Sequence, residues 1–503
     1  MKANKIITGL RFVLIFLVIS YPSLAQDAGE HGPSMERLQK IKELKAYVDS
    51  VFNHQQKIQN IPGLSYSIMV DGEVAFSNSF GIQNIEEKIA VSTSSVFRIA
   101  SMTKSFTALA ILKLRDEEKL LLDDPAWKYV PEMKNWEKKE ITIRMLLTHM
   151  AGFPEDNPWG DRQLSMPEAQ FSEFLEKEPS FSTAPGTSYE YSNLGYAILG
   201  RIISNISGIS YQQYVNDNIF LPLDMNDSYW EAGEIPGNKF ANGYRFINSS
   251  YLLQPAAADG AFASMGGMFT TISDFNKYMK LHLSAWSNGN DPNLIIKPSS
   301  IKEMHMPYTL TGFPGNQAGC ATVSGYGYGL RWTQDCKDNI SVGHSGGLPG
   351  YGSNWTILPE YGIGIVSFAN RTYATLANIN ASMLNDIISK SGLGKKEAPV
   401  TNILAKRKEQ LLEYLPSWNK SASSEVFAVN FFYDQALDEL RKQTSFVFNK
   451  IGKVKKTHPL KALNNLRGSF IIEGTKSKAE VYFTLSPESS PKIQYFRIRE
   501  LTQ

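Results

Sequence analysis

Cysteine is nearly absent: Cys320 and Cys336 are the only two in 503 residues. Two thiols without a supporting histidine cluster make a poor metal site, and the seven histidines (31, 54, 149, 282, 305, 344 and 458) form no pair at ligand spacing. No metal is expected. Glycine-rich loops of the dinucleotide or P-loop type are also missing, so no phosphate-bearing cofactor is expected. An excess of one charge is lacking too, since 51 basic against 49 acidic side chains leave a formal charge of +2. With no sustained basic stripe carrying interleaved aromatics, nothing suggests a nucleic-acid partner. There is no internal repeat and no long low-complexity tract.

What is present is enough apolar material for a large core, 42% of a chain long enough for two or three domains. At the N-terminus Lys2, Lys5 and Arg11 precede the apolar run 12–19, and Ser23-Leu24-Ala25 offers small residues where a peptidase would cut. Residues 1–25 read as an export signal, which places the mature protein in the periplasm or outside the cell. The apolar run is too short for a confident span, so the mature chain is expected to have no stable membrane segment. In an oxidising compartment Cys320 and Cys336 make one local disulfide plausible, a loop staple.

Along the chain, 35–56 has helical periodicity, and 64–70, Asp71-Gly72 and 73–76 read as a tight hairpin. From 101 to about 274 helical patterns dominate (106–119, 142–149, 194–207, 211–220), separated by loops rich in Pro, Gly and Asp. Strands return at 326–332, 339–343, 352–358 and 363–368, followed by a helix over 374–389. A sheet begun early and resumed late, with helices between, builds one half of the fold from both ends of the domain and leaves a cleft between the halves. The pattern breaks near 392–396. The remainder, 400–503, reads as a small α+β domain with helices over 403–414 and 426–448 and strands over 466–473, 479–485 and 493–500, so that 26–395 forms the main domain.

Three stretches carry candidate chemistry. In the first, Ser101 at the start of a helix has Lys104 one turn on, so hydroxyl and amine become neighbours. Serine is a poor nucleophile without a base, and a lysine can be that base only if burial leaves it neutral. The spacing alone is weak evidence, because it recurs at Ser299/Lys302, Ser417/Lys420 and Ser489/Lys492. In the second, Tyr191-Ser192-Asn193 stands in a loop just before a helix. Tyr191 could relay a proton and Asn193 could donate to a substrate carbonyl. In the third, Gly343-His344-Ser345-Gly346-Gly347 ends a strand, its glycines letting a substrate backbone lie close. This stretch also matches the Gly-x-Ser-x-Gly nucleophile elbow, but Pro349 and further glycines follow instead of a helix, and the only later histidine is His458.

Taken in order, Ser101-x-x-Lys104, Tyr191-Ser192-Asn193 and His344-Ser345-Gly346 resemble the motifs of the serine β-lactamase and penicillin-binding-protein superfamily, in its class C-like branch. Leu146-Leu147-Thr148-His149-Met150-Ala151-Gly152 is similar to that family's LLTHTSG signature, and the stretch 266–274 to its GGL-ST--D segment. The resemblance covers roughly residues 40–390. It implies an α+β fold: an antiparallel sheet flanked by helices with an inserted helical subdomain. It further implies that Ser101 is acylated, Lys104 takes its proton, Tyr191 shares the relay, and Asn193, His344, Ser345 and Gly346 contact substrate. The oxyanion hole would be the N–H groups of Ser101 and Gly347. One departure is His344, where class C enzymes have lysine: a histidine of ordinary pKa, near ~6.5, is largely neutral above pH 7. The tail resembles cystatin-like or nuclear-transport-factor-like accessory domains.

The expected function is therefore an exported serine hydrolase forming an acyl-enzyme on an amide or ester, with a small molecule or a peptide, cell-wall-derived fragments foremost, as substrate. The D-amino-acid peptidase or carboxypeptidase and the esterase types both fit. A class C-like β-lactamase and a non-catalytic receptor for β-lactams or cell-wall peptides are the alternatives.

Overall fold

The Asp71-Gly72 turn starts the sheet. In the computed structural model, which describes residues 35–286, 294–312, 320–420 and 423–501, β1 (Gly63–Val70) and β2 (Glu73–Asn84) pair antiparallel. Asp71 at φ 52° and Gly72 at φ 86° supply the two left-handed positions that a two-residue hairpin turn requires. The expected leader, 1–25, lies outside the described residues. After the short edge strand β3 (Ile89–Ala90), the sheet resumes with β4 (Thr309–Gly312), β5 (Thr322–Tyr326), β6 (Arg331–Asp335), β7 (Ile340–Leu348), β8 (Tyr351–Leu358) and β9 (Ile363–Ala369). The nine strands run in the order β3-β2-β1-β9-β8-β7-β6-β5-β4. All pairs are antiparallel, and the strands from the two ends of the domain, β1 and β9, pair with each other inside the sheet.

Helices cover both faces. They include α1 (Met35–Lys42), α2 (Lys45–Ile58), α3 (Thr103–Asp116), α4 (Asn193–Ser207), α5 (Ile272–Ser284) and α6 (Ala377–Ser391). Alternate side chains of the central strands divide between two cores. Tyr66, Ile68 and Val70 of β1 and Ile363 and Ile365 of β9 meet Val48 and Phe52 of α2 and Met383, Leu384 and Ile387 of α6. Met69, Trp355, Val366 and Phe368 join Phe106 of α3 and Phe275, Tyr278 and Met279 of α5 on the other side. Being covered on both faces, β1 and β9 are buried along their whole length, Ser65, Ser67 and Ser367 included. The expected α+β architecture, an antiparallel sheet flanked by helices with a helical insertion, is the one observed.

Three local expectations change. The strand expected over 326–332 is two strands, β5 and β6, separated by a turn in which Gly329 has φ +68°. A Cβ at Gly329 would stand 2.6 Å from the Lys104 carbonyl oxygen, so this turn lies directly against α3. In the tail, the helix expected over 426–448 runs only over Leu437–Ile451, after one short turn at Phe431–Asp434. Between them the Gln435 side chain donates to the Phe496 carbonyl at 2.8 Å and accepts from the Phe496 N–H at 3.0 Å, pulling the chain out of helix. The tail sheet has five strands, two more than expected, because Val454–Thr457 and Lys461–Asn464 are short, lysine-bearing edges without an apolar alternation. A third core consists wholly of residues between Leu404 and Ile498. Among the described residues no helix is long and apolar enough to cross a membrane.

Candidate active site

Small and apolar residues surround α3 on every side, and from Thr103 to Leu112 all of its residues are buried. A helix without a polar face goes into the core whole. Lys104 goes with it, at 0% exposure. The chain reaches α3 through a two-residue strand, Phe97–Arg98, paired to Phe269–Thr270, and then the 3₁₀ turn Ala100–Met102 that carries Ser101. Ala100 has φ 51°, a left-handed conformation rare for a residue with a Cβ, so the turn that carries Ser101 is held in strain by its surroundings. What holds it is the edge of β7 and β8. Ser353 donates to the Ile99 carbonyl at 2.7 Å, and β7 approaches so closely that a Cβ at Gly346 would stand 2.1 Å from that same oxygen.

The Lys104 amine has three neighbours: Ser101 Oγ at 3.0 Å, Asn193 Oδ1 at 2.7 Å and the Met265 carbonyl at 2.7 Å. Two of these can only accept. A neutral amine satisfies both with its two protons and turns its lone pair toward the Ser101 hydroxyl. Burial supplies that neutrality, lowering the ammonium to about 7 against the pull of Asp156 and Asp161. Asn193 is fixed in turn by the start of α4: Asp156 accepts from the Asn193 N–H at 2.6 Å and the Leu194 N–H at 2.9 Å, and Ser192 caps Gly195.

Tyr191 is 8% exposed, with its ring centroid 4.9 Å from Lys104 Nζ. Burial drives its phenol well above the usual value, while the neighbouring Ser101 hydroxyl and the Arg331 guanidinium pull it down. Of the two candidate bases the lysine is therefore the one that is unprotonated near neutrality. His344 is buried, and its partners fix its tautomer. The Ser345 carbonyl, 2.6 Å from Nδ1, can only accept, so Nδ1 carries the proton and Nε2 accepts from the Tyr326 hydroxyl at 3.0 Å. Burial, with Arg331 and Lys104 nearby, holds the ring's pKa well below its ordinary value. His344 is thus a neutral group, and the departure noted in the sequence removes a charge from this position.

Ser101, Tyr191, His344, Ser345, Gly346 and Gly347 line one cavity of about 600 Å³. Asn193 does not. It is fully buried, with its Oδ1 on Lys104 and its Nδ2 donating to Asn157 Oδ1 at 3.2 Å, so it positions the lysine where a substrate contact was expected. Arg331, Asp161 and Tyr373 are polar residues of the same cavity that sequence reasoning missed. Arg331, the first residue of β6, lies opposite Gly343 in the sheet and holds its guanidinium 5.6 Å from the Tyr191 ring centroid. A charged residue between Leu330 and Trp332 was the available signal, hidden by the reading of 326–332 as one strand. His149 is a structural residue: its Nδ1 accepts from the Ser192 N–H at 3.1 Å and its ring lies 4.3 Å from that of Tyr191. The elbow alternative fails on geometry, since residues 343–347 sit inside β7 and lead into β8. Cys320 and Cys336 are bonded to each other, tying the start of β5 to the turn after β6. Among the described residues no group of acidic, cysteine and histidine side chains could hold a metal ion.

A helix-flanked antiparallel sheet with serine, lysine and tyrosine gathered at the junction of sheet and helical insertion is a serine hydrolase-type fold. The chain belongs to the beta-lactamase family, whose model matches residues 48–385. It is 28% identical over 374 residues to protein flp of Staphylococcus aureus (strain MW2), covering 72% of this chain and 70% of that one. It is also 28% identical over 368 residues to beta-lactamase-like protein 4 of Dictyostelium discoideum, 69% of this chain and 63% of that protein. Among solved structures, an octameric penicillin-binding-protein homologue from Pyrococcus abyssi superposes with a TM-score of 0.61 at 24% identity, covering 90% of this chain and 99% of that one. A penicillin-binding protein from Bacillus halodurans gives 0.55 at 23% identity over 67% and 98%.

Proposed function

We propose that the protein is an exported serine hydrolase that cleaves an amide or ester through an acyl-enzyme on Ser101, acting on short peptides of cell-wall type that end in a carboxylate. The observation that carries this reading is the placement of Lys104, a buried amine with Asn193 Oδ1 and the Met265 carbonyl each at 2.7 Å and Ser101 Oγ at 3.0 Å, so that its neutral form gives its two protons to the carbonyl oxygens and turns its lone pair to the hydroxyl. Lys104 takes the hydroxyl proton as Oγ bonds to the carbonyl carbon, and the N–H groups of Ser101 and Gly347 receive the oxyanion. Collapse breaks the bond to the leaving amine or alcohol, which takes a proton through Tyr191. Water then attacks the ester by the same relay in reverse.

Arg331 supports the carboxylate. It is the permanent cation in the wall of the cavity, next to a histidine held neutral, and guanidinium is well matched to a carboxylate. The same cation favours β-lactams as acylating ligands, which keeps a class C-like β-lactamase as the second reading. Export is supported by the Cys320–Cys336 bond, since disulfides persist in oxidising compartments.

Intact-protein mass spectrometry after brief exposure to a fluorophosphonate, a penicillin and an activated short-chain ester tests the reading. A single adduct mapping to Ser101, absent in Ser101→Ala, is expected, and turnover in that variant should vanish with the fold retained. A folded protein that no member of the panel labels would instead fit a binding protein.

A further inference from the structure

Asp161 lies in the wall of the cavity that holds Ser101, and the mechanism above does not use it. It is brought there by a short helical turn, Asn157–Gly160, that packs on the start of α4: a Cβ at Gly160 would stand 2.7 Å from Asn193 Cβ. The residue is 7% exposed. One carboxylate oxygen, Oδ2, accepts from the Tyr373 hydroxyl at 2.8 Å. Tyr373 in turn stands against the oxyanion-hole strand, where a Cβ at Gly347 would be 2.9 Å from its ring. Asp161 is therefore tied to the place where the scissile carbonyl must sit.

A buried carboxylate is costly unless it is paired. Among the described residues Asp161 forms no ion pair, Lys104 and Arg162 acting on it only from a distance, and Tyr373 is its single side-chain donor. Burial accordingly pushes its carboxyl up to about 6, with Tyr373 and the more distant Lys104 pulling it down. Its neighbour Asp156 differs: that carboxylate is occupied by the backbone N–H groups of Asn193 and Leu194. Arg331, the cation of the same cavity, is held against Tyr191 and forms no ion pair with Asp161. The site thus presents one unneutralised negative and one unneutralised positive group to whatever fills it.

Resting on the acyl-enzyme reading, we infer that Asp161 is the specificity residue for a substrate bearing an ammonium group next to the scissile carbonyl, as in the unblocked N-terminus of a short peptide. The ammonium donates to the free Asp161 oxygen while Tyr373 holds the other, and the carbonyl between them and Ser101 enters the oxyanion hole. Together with Arg331 this makes the preferred ligand a zwitterion with its amine free. An N-acylated analogue loses the positive charge and leaves the buried carboxylate without a partner, so it binds worse.

The test is protection of Ser101 from a fluorophosphonate by D-alaninamide and by N-acetyl-D-alaninamide, read by intact mass in the full-length protein. D-Alaninamide is expected to halve the labelling rate at a concentration ~10-fold or more below that of its acetylated form, the size of one charge-assisted hydrogen bond. Asp161→Asn, isosteric and uncharged, should bring the two concentrations together. Equal protection by both amides in the unaltered protein, protection by neither, or a ratio that survives in Asp161→Asn overturns the proposal while leaving the Ser101 centre intact. The first two outcomes need no variant to fold. Absence of any label on Ser101 in the unprotected protein removes the acyl-enzyme reading, and this inference with it.

Discussion

In the proposed reaction Lys104 is the deciding residue, because its protonation state and its hydrogen bonds agree. With Asn193 Oδ1 and the Met265 carbonyl as fixed acceptors, only the neutral amine leaves a lone pair for Ser101. The pH dependence follows in sign. Burial lowers the folded-state ammonium to about 7, so below that pH the amine is protonated and the serine loses its base, whereas above it the base is present. The rate of Ser101 labelling by a fluorophosphonate should rise with pH through a single ionisation near 7 and level off. A profile flat from pH 5 to 9 would remove the lysine from the role. Lys104→Met should slow labelling by ~10²–10⁴-fold, the usual range for loss of a general base. Asn193 shows the limit of motif reading at this scale. The sequence places it two residues after Tyr191 but says nothing of where its amide points, and that amide is consumed by Lys104 and Asn157. The charge state of His344 was equally hidden, because its partners Tyr326 and Ser345 become neighbours only through the sheet.

At the scale of elements, the site depends on one close approach, that of β7 to the 3₁₀ turn before α3. Gly346 makes it possible, for a Cβ there would lie 2.1 Å from the Ile99 carbonyl, 2.3 Å from Ser353 Oγ and 3.1 Å from Ala100 Cβ. Gly346→Ala must move the strand edge away from the turn. The sheet itself is anchored elsewhere, by β1, β8 and β9, so overpacking should cost ~1–3 kcal/mol of stability. The labelling rate should fall by more than that loss accounts for, ~10²-fold, since the proposed oxyanion donor of Gly347 no longer faces Ser101. Thermal unfolding and labelling rate measured on the same sample check this, and a variant that labels at the original rate would show the approach to be unimportant. The elements legible in the sequence were those with a strong period or a turn signal: the Asp71-Gly72 hairpin, the strands around β8 and β9, and the helix start after Ser192. What stayed hidden was made by partners distant in sequence. The break between β5 and β6 exists because Gly329 seats on α3, and the tail helix is interrupted because Gln435 bonds to the backbone of Phe496. Arg331 was missed for the same reason, because its position depends on that break.

For the whole molecule, the question is whether the tail contributes to the site. The chain leaving the main domain is pinned there: Lys395 pairs with Glu360 at 2.7 Å, Lys396 with Asp71 at 2.9 Å, and Asp71 also with Arg37 at 2.8 Å. From Ala398, which bridges to Ala462, the chain enters the tail sheet. The tail core draws no residue from the other two cores, and no residue after Asn378 lines the Ser101 cavity. A chain ending at residue 397 keeps all three pins, both cores that enclose the sheet, and every group named at the site. It should fold and label at Ser101 within ~3-fold of the full-length rate, since nothing it loses touches the reacting atoms. The complementary piece, from Ala398 onward, has its own core and should unfold cooperatively in urea. If the first piece labels more than tenfold slower while its near-ultraviolet dichroism stays native, then the tail acts on the cleft from outside. Its position would then have to be counted among the determinants of the site.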